Sequence, residues 1–443
     1  MRRLYSAGLF LGITGIAVVA IAQQPATSPV SPTAKLPPAS SSPAQPLANI
    51  DASHGGAANR EAPLAKFEPL AAFPESTQNA VRSVLLAAEW MTRMNQPQGR
   101  FLFGYNPALR RPMIGDHDLK QARGALALAQ AARFSGDEKQ AAMASQAILT
   151  SLAATRIDPA DATCRVPVHS SLVCNRVGFA SVVIQAILEL PGADSKLFTE
   201  AEELCVFLHK QCKADGSVDY TDATDDDPTK TDPAGLNEFP GLALSAIMSS
   251  NRVRPAPWKV ETVKKGIVYY RAVFRAKPNA MLAATLTPAC AELYLQTKVA
   301  DGAAATFEFN DWLCTAQIRG SDPRNPQWAG GFRTVLDNLA PDVPPGPETG
   351  LYLQSLAYAC QLTRLTPDLE RFTKYKTSAL GAVMFLTGLQ YLEMNTRHFE
   401  NTFRVNMLIG GFHLSPTDGN LRIDATADAV TGLIRFLGSG AEK

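Results

Sequence analysis

The sequence lacks a surplus of either charge, and it lacks the short motifs by which many enzymes are recognised. Its 443 residues contain 42 Lys and Arg against 41 Asp and Glu, without a basic stripe or an acidic tail. Nucleic-acid-binding proteins usually concentrate Lys and Arg on one surface, so we expect no nucleic acid as a partner. The GxSxG, GxGxxG, P-loop and HExxH patterns are absent. No CxxC pair is present either, and we predict neither a bound metal nor a cofactor.

Long hydrophobic runs are absent except at the N-terminus. Arg2 and Arg3 precede an apolar stretch from Ala7 to Ala22 that ends in small residues. This is the pattern of a secretory signal with an A-x-A-like cleavage site. The stretch is shorter than the roughly 20 residues that span a bilayer, which favours cleavage over an uncleaved anchor. We predict a signal peptide over residues 1–22 and an exported protein, periplasmic or extracellular, with no membrane span after cleavage.

The next segment, residues 23–63, is rich in Pro, Ala and Ser and holds almost no large apolar residues. Such a segment cannot bury enough apolar surface to offset its chain entropy, so we predict a disordered tether. The folded domain is then expected over residues 64–443. That length is large for one domain but acceptable for a closed toroid or barrel.

The seven cysteines raise the question of disulfides, because exported chains often contain them. Cys164 and Cys174 flank one short loop, where both a bridge and two free thiols are reasonable. Cys205 and Cys212 are about 10 Å apart along a predicted helix, which is beyond the reach of a disulfide. We expect those two to be buried thiols. The other three lie on apolar helix faces and are expected in the core: Cys290, Cys314 and Cys360.

Apolar residues at three- and four-residue spacing predict about twelve helices in two alternating sets. The first set carries larger side chains, at about 76–96, 137–154, 196–212, 257–274, 302–317 and 368–391. The second set is richer in Ala, Gly and Ser, at about 118–134, 175–191, 237–250, 279–297, 347–363 and 424–437. Small residues allow helices to approach closely, which suits an inner ring packed on both sides, although ordinary bundle packing would also use them.

Four stretches share one design, in which an amphipathic helix ends, a loop follows and a Gly-aromatic turn comes next. They are residues 88–105, 205–220, 307–333 and 384–415. From Gln96 to Gln390 there are 294 residues in five intervals, about 59 each, so one unit holds two helices and one long loop. This recurrence marks a repeat architecture. We predict an all-α fold, an α/α toroid of about six helix pairs with inner and outer helical barrels.

The stretch around Gln317, preceded by DWL and followed by WAGGF, resembles the Gln-to-Trp repeat of the terpenoid cyclase and protein prenyltransferase superfamily. In that superfamily the repeat clamps adjacent helix pairs together. The architecture is also similar to that of toroidal glycoside hydrolases, polysaccharide lyases and sugar epimerases. The acidic Asp-x-Asp-Asp motif of squalene-type cyclases does not match Asp222-Ala-Thr-Asp225-Asp226, and no His accompanies Asp311 and Cys314 as the prenyltransferase zinc pattern requires.

In such toroids the loops that enter the inner helices shape the cleft, and the first of these loops is 99–124. It carries Tyr105 and brings Asp116 and His117 to the start of an inner helix. The two could act as an oriented acid/base pair. Alternatively, Asp116 only caps the helix and His117 is simply exposed.

The second loop, 215–241, contains a run of aspartates from Asp219 to Asp232. Its spacing fits no EF-hand cation site, and a solvated acidic loop is the favoured interpretation. Glu238, at the mouth of the next inner helix, is the better catalytic candidate.

The third loop, 325–354, combines an aromatic residue, an arginine and carboxylates, which would suit a sugar ring or a carboxylated ligand. We expect Glu348 to be a catalytic candidate and Trp328, Arg333 and Tyr352 to bind substrate. Since Glu348 follows Pro347, it could instead only complement the helix dipole.

The fourth loop, 397–428, offers further candidates for substrate binding. These are Arg404, His413, Arg422 and Asp424, of which Asp424 is also a plausible helix N-cap. His398 and Glu400 stand two residues apart, too close for a helical HExxH-type site.

Together these features favour an exported carbohydrate-active toroid, hydrolase- or lyase-like, with a glycan in its mouth. Acid/base carboxylates would come from Asp116, Glu238 and Glu348, supported by His117. Two alternatives stay open: a non-catalytic toroid that binds peptide, glycan or protein, and an isoprenoid enzyme. A fold alone does not choose among them.

Overall fold

The computed structural model describes residues 70–169, 173–221, 233–320, 324–335 and 343–441. The predicted signal peptide and tether therefore lie outside the described residues, as do Asp222–Asp232 of the acidic loop and Asp337 of the third loop.

Thirteen helices lie in the described part of the chain. They are α1 (Glu75–Met94), α2 (Asp118–Ser135), α3 (Glu138–Leu152), α4 (Arg176–Glu189), α5 (Ser195–Gln211), α6 (Pro233–Asn251), α7 (Pro257–Ala276), α8 (Ala280–Thr297), α9 (Ala300–Ala316), α10 (Thr349–Leu365), α11 (Leu369–Gly388), the short α12 (Asn401–Phe403) and α13 (Ile423–Ser439). Each of the twelve predicted helices is present, with ends that differ by at most a few residues.

Six helices form a closed inner ring, in the order α2, α4, α6, α8, α10, α13 and back to α2. The other long helices, α1, α3, α5, α7, α9 and α11, pack outside them. This is an α/α toroid, and it confirms the predicted fold. The small residues of the inner set explain the close packing: a side chain at Gly350 or Gly432 would collide with the backbone of the neighbouring inner helix.

The two ends of the toroid are built differently. Short connections lead from each inner helix to the next outer helix, such as Gly136–Asp137 between α2 and α3. Long loops lead from five of the six outer helices to the next inner helix, such as 95–117 between α1 and α2, whereas only residues 277–279 join α7 to α8. The long loops therefore surround the N-terminal ends of the inner helices. We call this end the mouth, and the end with the short connections the base.

The repeated Gln side chain forms a clamp at two places in the outer ring. Gln390, beyond the end of α11, donates through Nε2 to the carbonyls of Ser83 in α1 and Gly410, at 2.9 Å each, and accepts from the Ser83 hydroxyl at 2.6 Å. Gln317 makes the same three contacts with Ser378 in α11 and with Gly330. These clamps join α9 to α11 and α11 to α1, as the resemblance to the Gln-to-Trp repeat implied.

In the two earlier repeats the corresponding backbone bridge uses Asn95 and Cys212 rather than a glutamine. What all four repeats share is a turn glycine with φ between 79° and 99°, a conformation that favours glycine. Each of these glycines packs against the backbone of the next outer helix along the ring: Gly99, Gly216, Gly330 and Gly410.

Two small antiparallel sheets add to the helices. β1 (Gly104–Asn106), β2 (Arg111–Pro112), β5 (His413–Ser415) and β6 (Asp418–Arg422) form a sheet in the order β2-β1-β6-β5. It joins the first and last mouth loops, because Tyr105 pairs with Leu421. β3 (Thr155–Asp158) and β4 (Asp161–Pro167) form a hairpin. The helical sequence pattern did not predict these strands, most of which are too short to show a two-residue period.

All seven cysteines are free thiols. The possible Cys164–Cys174 bridge does not form, whereas the expectation that Cys205 and Cys212 are unbridged is confirmed. Burial raises the pKa of the Cys205 thiol to about 12, so it packs as a neutral side chain. Among the described helices, none has the length and apolar character needed to cross a membrane.

Candidate functional site

A cluster of charged side chains lies inside the inner ring, on helices that begin at the mouth. Arg123 of α2 donates to both carboxylate oxygens of Asp428 in α13, at 2.9 and 3.1 Å, and to Glu238 of α6. The exposed fractions of these side chains are only 15%, 14% and 24% for Arg123, Asp428 and Glu238. The guanidinium of α2 therefore connects two carboxylates, one on α6 and one on α13, so that three inner helices meet at this cluster.

A second ion pair lies one helical turn away on the same face of α13. Asp424 accepts two hydrogen bonds of 2.7 Å from Arg422, and Lys120 Nζ lies 3.8 Å from its carboxylate. Burial works against ionisation of Asp424, but the hydrogen bonds and charges of Arg422 and Lys120 prevail and keep its pKa below the usual value. One alternative interpretation was that Asp424 caps α13. The N-cap position is instead Arg422, so Asp424 does not cap the helix.

The pKa values of the two aspartates of α13 are shifted in opposite directions. Burial, together with repulsion from Asp424 and Glu238, raises the pKa of Asp428 to about 7 despite the attraction of Arg123. One carboxyl group can therefore carry a proton near neutral pH while a neighbour stays ionised. Such divergence between neighbouring carboxyl groups is a common sign of acid/base sites.

Glu348 and Tyr352 extend the cluster along α10. Burial raises the pKa of Glu348, opposed mainly by the hydrogen bond of 2.7 Å that it accepts from the backbone N–H of Gly346. The pKa of Tyr352 is also raised, first by burial and then by the negative charges of Glu348, Asp428 and Glu238. The Tyr352 hydroxyl is therefore a neutral group that lies close enough to these three carboxylates to interact with their charges.

The predicted Asp116–His117 pair has a different geometry from the one expected. Asp116 accepts from the backbone N–H of His117 and from Gln121, each at 2.8 Å, and its other oxygen contacts Arg100. His117 occupies the N-cap position of α2, so Asp116 does not cap that helix. Burial and the charge of Lys120 lower the pKa of His117, whereas Asp118 and Asp424 oppose this shift.

A carboxylate–imidazole pair does exist close by, between Asp118 in the first turn of α2 and His169, neither of which was a predicted site residue. Asp118 Oδ2 lies 2.8 Å from His169 Nε2, and Asp118 Oδ1 lies 2.8 Å from Arg100. The His169 ring packs edge-on against Phe179, with 4.8 Å between ring centroids. Arg100 thus joins this pair to Asp116 at the edge of the mouth.

The other predicted site residues lie in the surrounding loops. Tyr105 is buried in β1 against Phe403, with 5.8 Å between centroids. The His413 ring packs at a tilt against Tyr391, with 3.9 Å between centroids. Arg404 pairs with Glu393 at 2.8 Å. Trp328 is buried in the turn before Phe332, whereas Arg333 is exposed.

Of the predicted residues, the structure thus brings together His117, Glu238, Glu348, Tyr352, Arg422 and Asp424. Sequence reasoning missed Arg123 and Asp428, which lie at the centre. Their signal was weak but present: both are charged residues within helices otherwise made of small and apolar residues. Asp428 also follows Asp424 by four positions, so the two share one helix face.

The cluster can bind and polarise a polar ligand. It combines carboxyl groups whose pKa values are shifted in opposite directions, cationic donors and the Tyr352 hydroxyl near the mouth ends of the inner helices. Within the described residues, no group of three or more His, Cys, Asp or Glu side chains is arranged to hold a metal ion.

Comparisons with known proteins identify the architecture. No family model and no curated protein matches the sequence. Solved structures do match: an α-1,6-mannanase of Salegentibacter sp. in complex with α-1,6-mannotriose has a TM-score of 0.56 at 11% identity, covering 82% of this chain and 100% of that one. An unsaturated glucuronyl hydrolase from Bacillus sp. GL1 has a TM-score of 0.58 at 12% identity, covering 81% and 96%. A cellobiose 2-epimerase from Bacillus thermoamylovorans has a TM-score of 0.59 at 8% identity, covering 82% and 98%. The chain therefore shares the toroid of these carbohydrate-active enzymes, and at this identity the likeness concerns the fold.

Proposed function

We propose that the protein is an exported carbohydrate-active enzyme, hydrolase- or lyase-like, that acts on a glycan held in the mouth of the toroid. The observation that carries this proposal is the Arg123 cluster, in which Asp428 and Glu238 share one guanidinium. A buried ion cluster contributes little net stability compared with apolar packing, since each charge loses its hydration. Its position inside the mouth therefore supports a chemical role.

The proposed roles follow from protonation. Asp428, with a pKa of about 7, donates a proton to the oxygen of the glycosidic bond. Glu238, ion-paired with Arg123, acts as the partner carboxylate, either as a base that activates water or abstracts a proton, or as a nucleophile. Glu348 is a second candidate acid, because its pKa is also raised.

Binding is assigned to the groups around the pair. Tyr352 and Arg422 offer hydrogen bonds to sugar hydroxyls, and Lys120 with Arg422 adds positive charge beside Asp424. The solved relatives of this fold include a mannanase with a bound mannotriose and a glucuronyl hydrolase. These names motivate α-mannans and uronic-acid-containing oligosaccharides as the first substrates to try.

The test is turnover by the purified protein on a panel of these glycans. New reducing ends report hydrolysis, and ultraviolet absorbance of an unsaturated product reports a lyase reaction. Asp428→Asn and Glu238→Gln are expected to lower the rate by about 100-fold or more, the usual contribution of an acid/base group. The same variants should still be stabilised by the glycan, because binding to the folded state raises the melting midpoint.

Matched controls are Asp301→Asn and Glu261→Gln, two exposed carboxylates on the outer helices α9 and α7. Asp116→Asn tests the sequence-predicted acid separately. Unchanged turnover in both Asp428→Asn and Glu238→Gln would refute the assignment of the pair. Glycan binding without turnover by the unmodified protein would support the non-catalytic binding toroid instead.

Export is the second part of the proposal, and it rests on the sequence pattern of residues 1–22. N-terminal sequencing of the protein recovered from the extracytoplasmic fraction tests it. A mature N-terminus near Gln23 is expected, whereas an intact protein in the cytoplasm would contradict export.

A further inference from the structure

The base of the toroid, the end opposite the mouth, contains a cavity. Its volume is about 450 Å³, and side chains from all six inner helices line it. A cavity of this size falls within the range of small-ligand sites, roughly 300–1,000 Å³. None of the residues of the Arg123 cluster lines it. We call it the basal cavity and define it by Gln185, Ser245, Arg252, Gln354 and Arg435.

The polar residues of the basal cavity lie at two depths. Toward the ends of the inner helices are three arginines: Arg133, Arg252 and Arg435. Farther from the base ends of α6 and α10 are Ser245 and Gln354, with the other amide and hydroxyl groups. From Ser245 to Arg252 are seven residues, or about 10 Å along a helix. The cavity is therefore a well with cationic groups near its rim and neutral hydrogen-bonding groups at its floor.

Arg435 is the least neutralised of these cations. Its Nη2 donates to the side chain of Gln361 at 2.6 Å, and its guanidinium lies 3.5 Å from the ring centroid of Tyr358. No carboxylate pairs with Arg435 anywhere in the described part of the chain, and its Nε has no hydrogen-bond partner there. Most of its five N–H donors are thus unused by the protein.

Arg435 also differs from arginines that only complete helix ends. Arg133 lies in the last turn of α2 and donates to the carbonyl of Leu188, and Arg364 lies in the last turn of α10 and donates to the carbonyls of Ser439 and Gly440. Arg435 precedes the last turn of α13, which contains no basic residue. Satisfying helix-end carbonyls therefore does not account for it.

The charges around the basal cavity leave one positive charge in excess. Two carboxylates face the three arginines: Glu189 lies 2.8 Å from Arg133, and Glu292 lies 3.6 Å from Arg252. A ligand with a single negative charge would balance this set.

The floor provides hydrogen-bonding groups beside apolar side chains such as Pro288. Gln185 Nε2 is buried without a partner among the described residues. Ser245 and Gln354 add a hydroxyl and an amide, and Gln130 is held by Thr431 at 2.8 Å. These groups suit a ligand with several hydroxyls.

We propose that the basal cavity binds a small polyhydroxylated carboxylate, of the size and chemistry of a uronic acid monosaccharide. The carboxylate pairs with Arg435 beside the rim arginines, and the hydroxyls meet the amides and hydroxyls of the floor. This site is separate from the mouth, and its existence does not depend on the proposed reaction there.

The test is calorimetric titration of the purified full chain with glucuronate, glucose and inorganic phosphate. Saturable one-to-one binding of glucuronate is expected. Glucose and phosphate should each bind at least about tenfold more weakly, because glucose lacks the carboxylate and phosphate lacks the sugar hydroxyls. Arg435→Gln should weaken the binding of glucuronate by about tenfold or more. The control Arg82→Gln, on the exposed face of α1, should leave that affinity unchanged. Gln354→Leu should weaken glucuronate without changing the response to phosphate.

Other variants assign the binding to one end of the toroid. Arg422→Gln, which removes a proposed binding group of the mouth, should keep the glucuronate affinity of the unmodified protein. Loss of binding in Arg422→Gln but not in Arg435→Gln would place the ligand in the mouth and overturn the proposal. Equal affinity for glucuronate and phosphate, or no saturable binding at all, would also overturn it. If Arg435→Gln does not fold, Gln354→Leu and Ser245→Ala test the site instead. Unchanged glucuronate affinity in both of these variants would refute the site.

Discussion

Replacing Gln390 by leucine should destabilise the toroid more than any exposed glutamine substitution. The Gln390 side chain is 1% exposed and makes three hydrogen bonds, two of them to Ser83 on α1. Leucine has a similar volume, so the change removes the hydrogen bonds without opening a large cavity. The last outer helix then loses its polar connection to the first.

The magnitude follows from the number of bonds. Each intramolecular hydrogen bond contributes about 1 kcal/mol net, so the expected loss is about 3 kcal/mol in the free energy of unfolding. Unfolding entropy of about 2.1 cal/mol/K per residue over roughly 370 residues makes this a fall of about 4 °C in the melting midpoint. Gln317→Leu removes the same three contacts at a site that water reaches, so its cost should be smaller, at roughly half.

Differential scanning calorimetry of Gln390→Leu, Gln317→Leu, the double variant and Gln98→Leu measures these shifts. Gln98 is exposed in the first mouth loop and serves as the matched control. The two clamps share no partner, so the double variant should show the sum of the single effects. A Gln390→Leu midpoint equal to that of Gln98→Leu, or a larger cost at Gln317, would refute the clamp as the source of this stability.

Two further predictions concern the Asp428 carboxyl and the turn glycines. Because the folded-state pKa of Asp428 is raised to about 7, folding favours its protonated form, and the free energy of unfolding should fall as pH rises from about 4 to about 7. Urea unfolding across this range should show a smaller fall for Asp428→Asn than for the unmodified protein. Parallel plots of unfolding free energy against pH for the two proteins would contradict the shift. Gly410 has a φ of 99°, and a side chain there would collide with the Leu86 carbonyl. Gly410→Ala should therefore destabilise the protein by several kcal/mol or prevent folding. The control Gly388→Ala, at an exposed helical position with free space, should be neutral or stabilising by about 0.5–1 kcal/mol. Equal melting midpoints for the two variants would contradict the role of the turn.

The sequence predicted the helices well because local periodicity and composition determine them. The inner helices were recognisable from their Ala, Gly and Ser content, since the packing that demands small residues acts along the whole helix. The clamp was recognisable at Gln317 for a similar reason: the glutamine and its glycine turn lie within 13 residues of each other. At Gln96 the expectation was less accurate, because the bridge there uses the neighbouring Asn95.

The centre of the site could not be found in the same way. Arg123 meets Glu238 and Asp428 across 115 and 305 residues of chain, and no local pattern records which inner faces converge. The Asp118–His169 pair likewise joins two different mouth loops. Arg333 and Arg404 were chosen because they lie in mouth loops. They do lie at the mouth end of the toroid, but they are not among the residues of the Arg123 cluster.

The closed ring has a consequence for how the chain is threaded. α1 begins and α13 ends at the base, and the two helices are in contact. The connection between α2 and α3 at Gly136–Asp137 lies at that same end and is as short as a turn. A circularly permuted chain, joined from α13 to α1 by a linker and opened at this turn, would keep every helix beside its present neighbours. The order of the six hairpins along the chain could therefore be permuted, whereas the candidate site in the mouth depends only on their cyclic order around the ring.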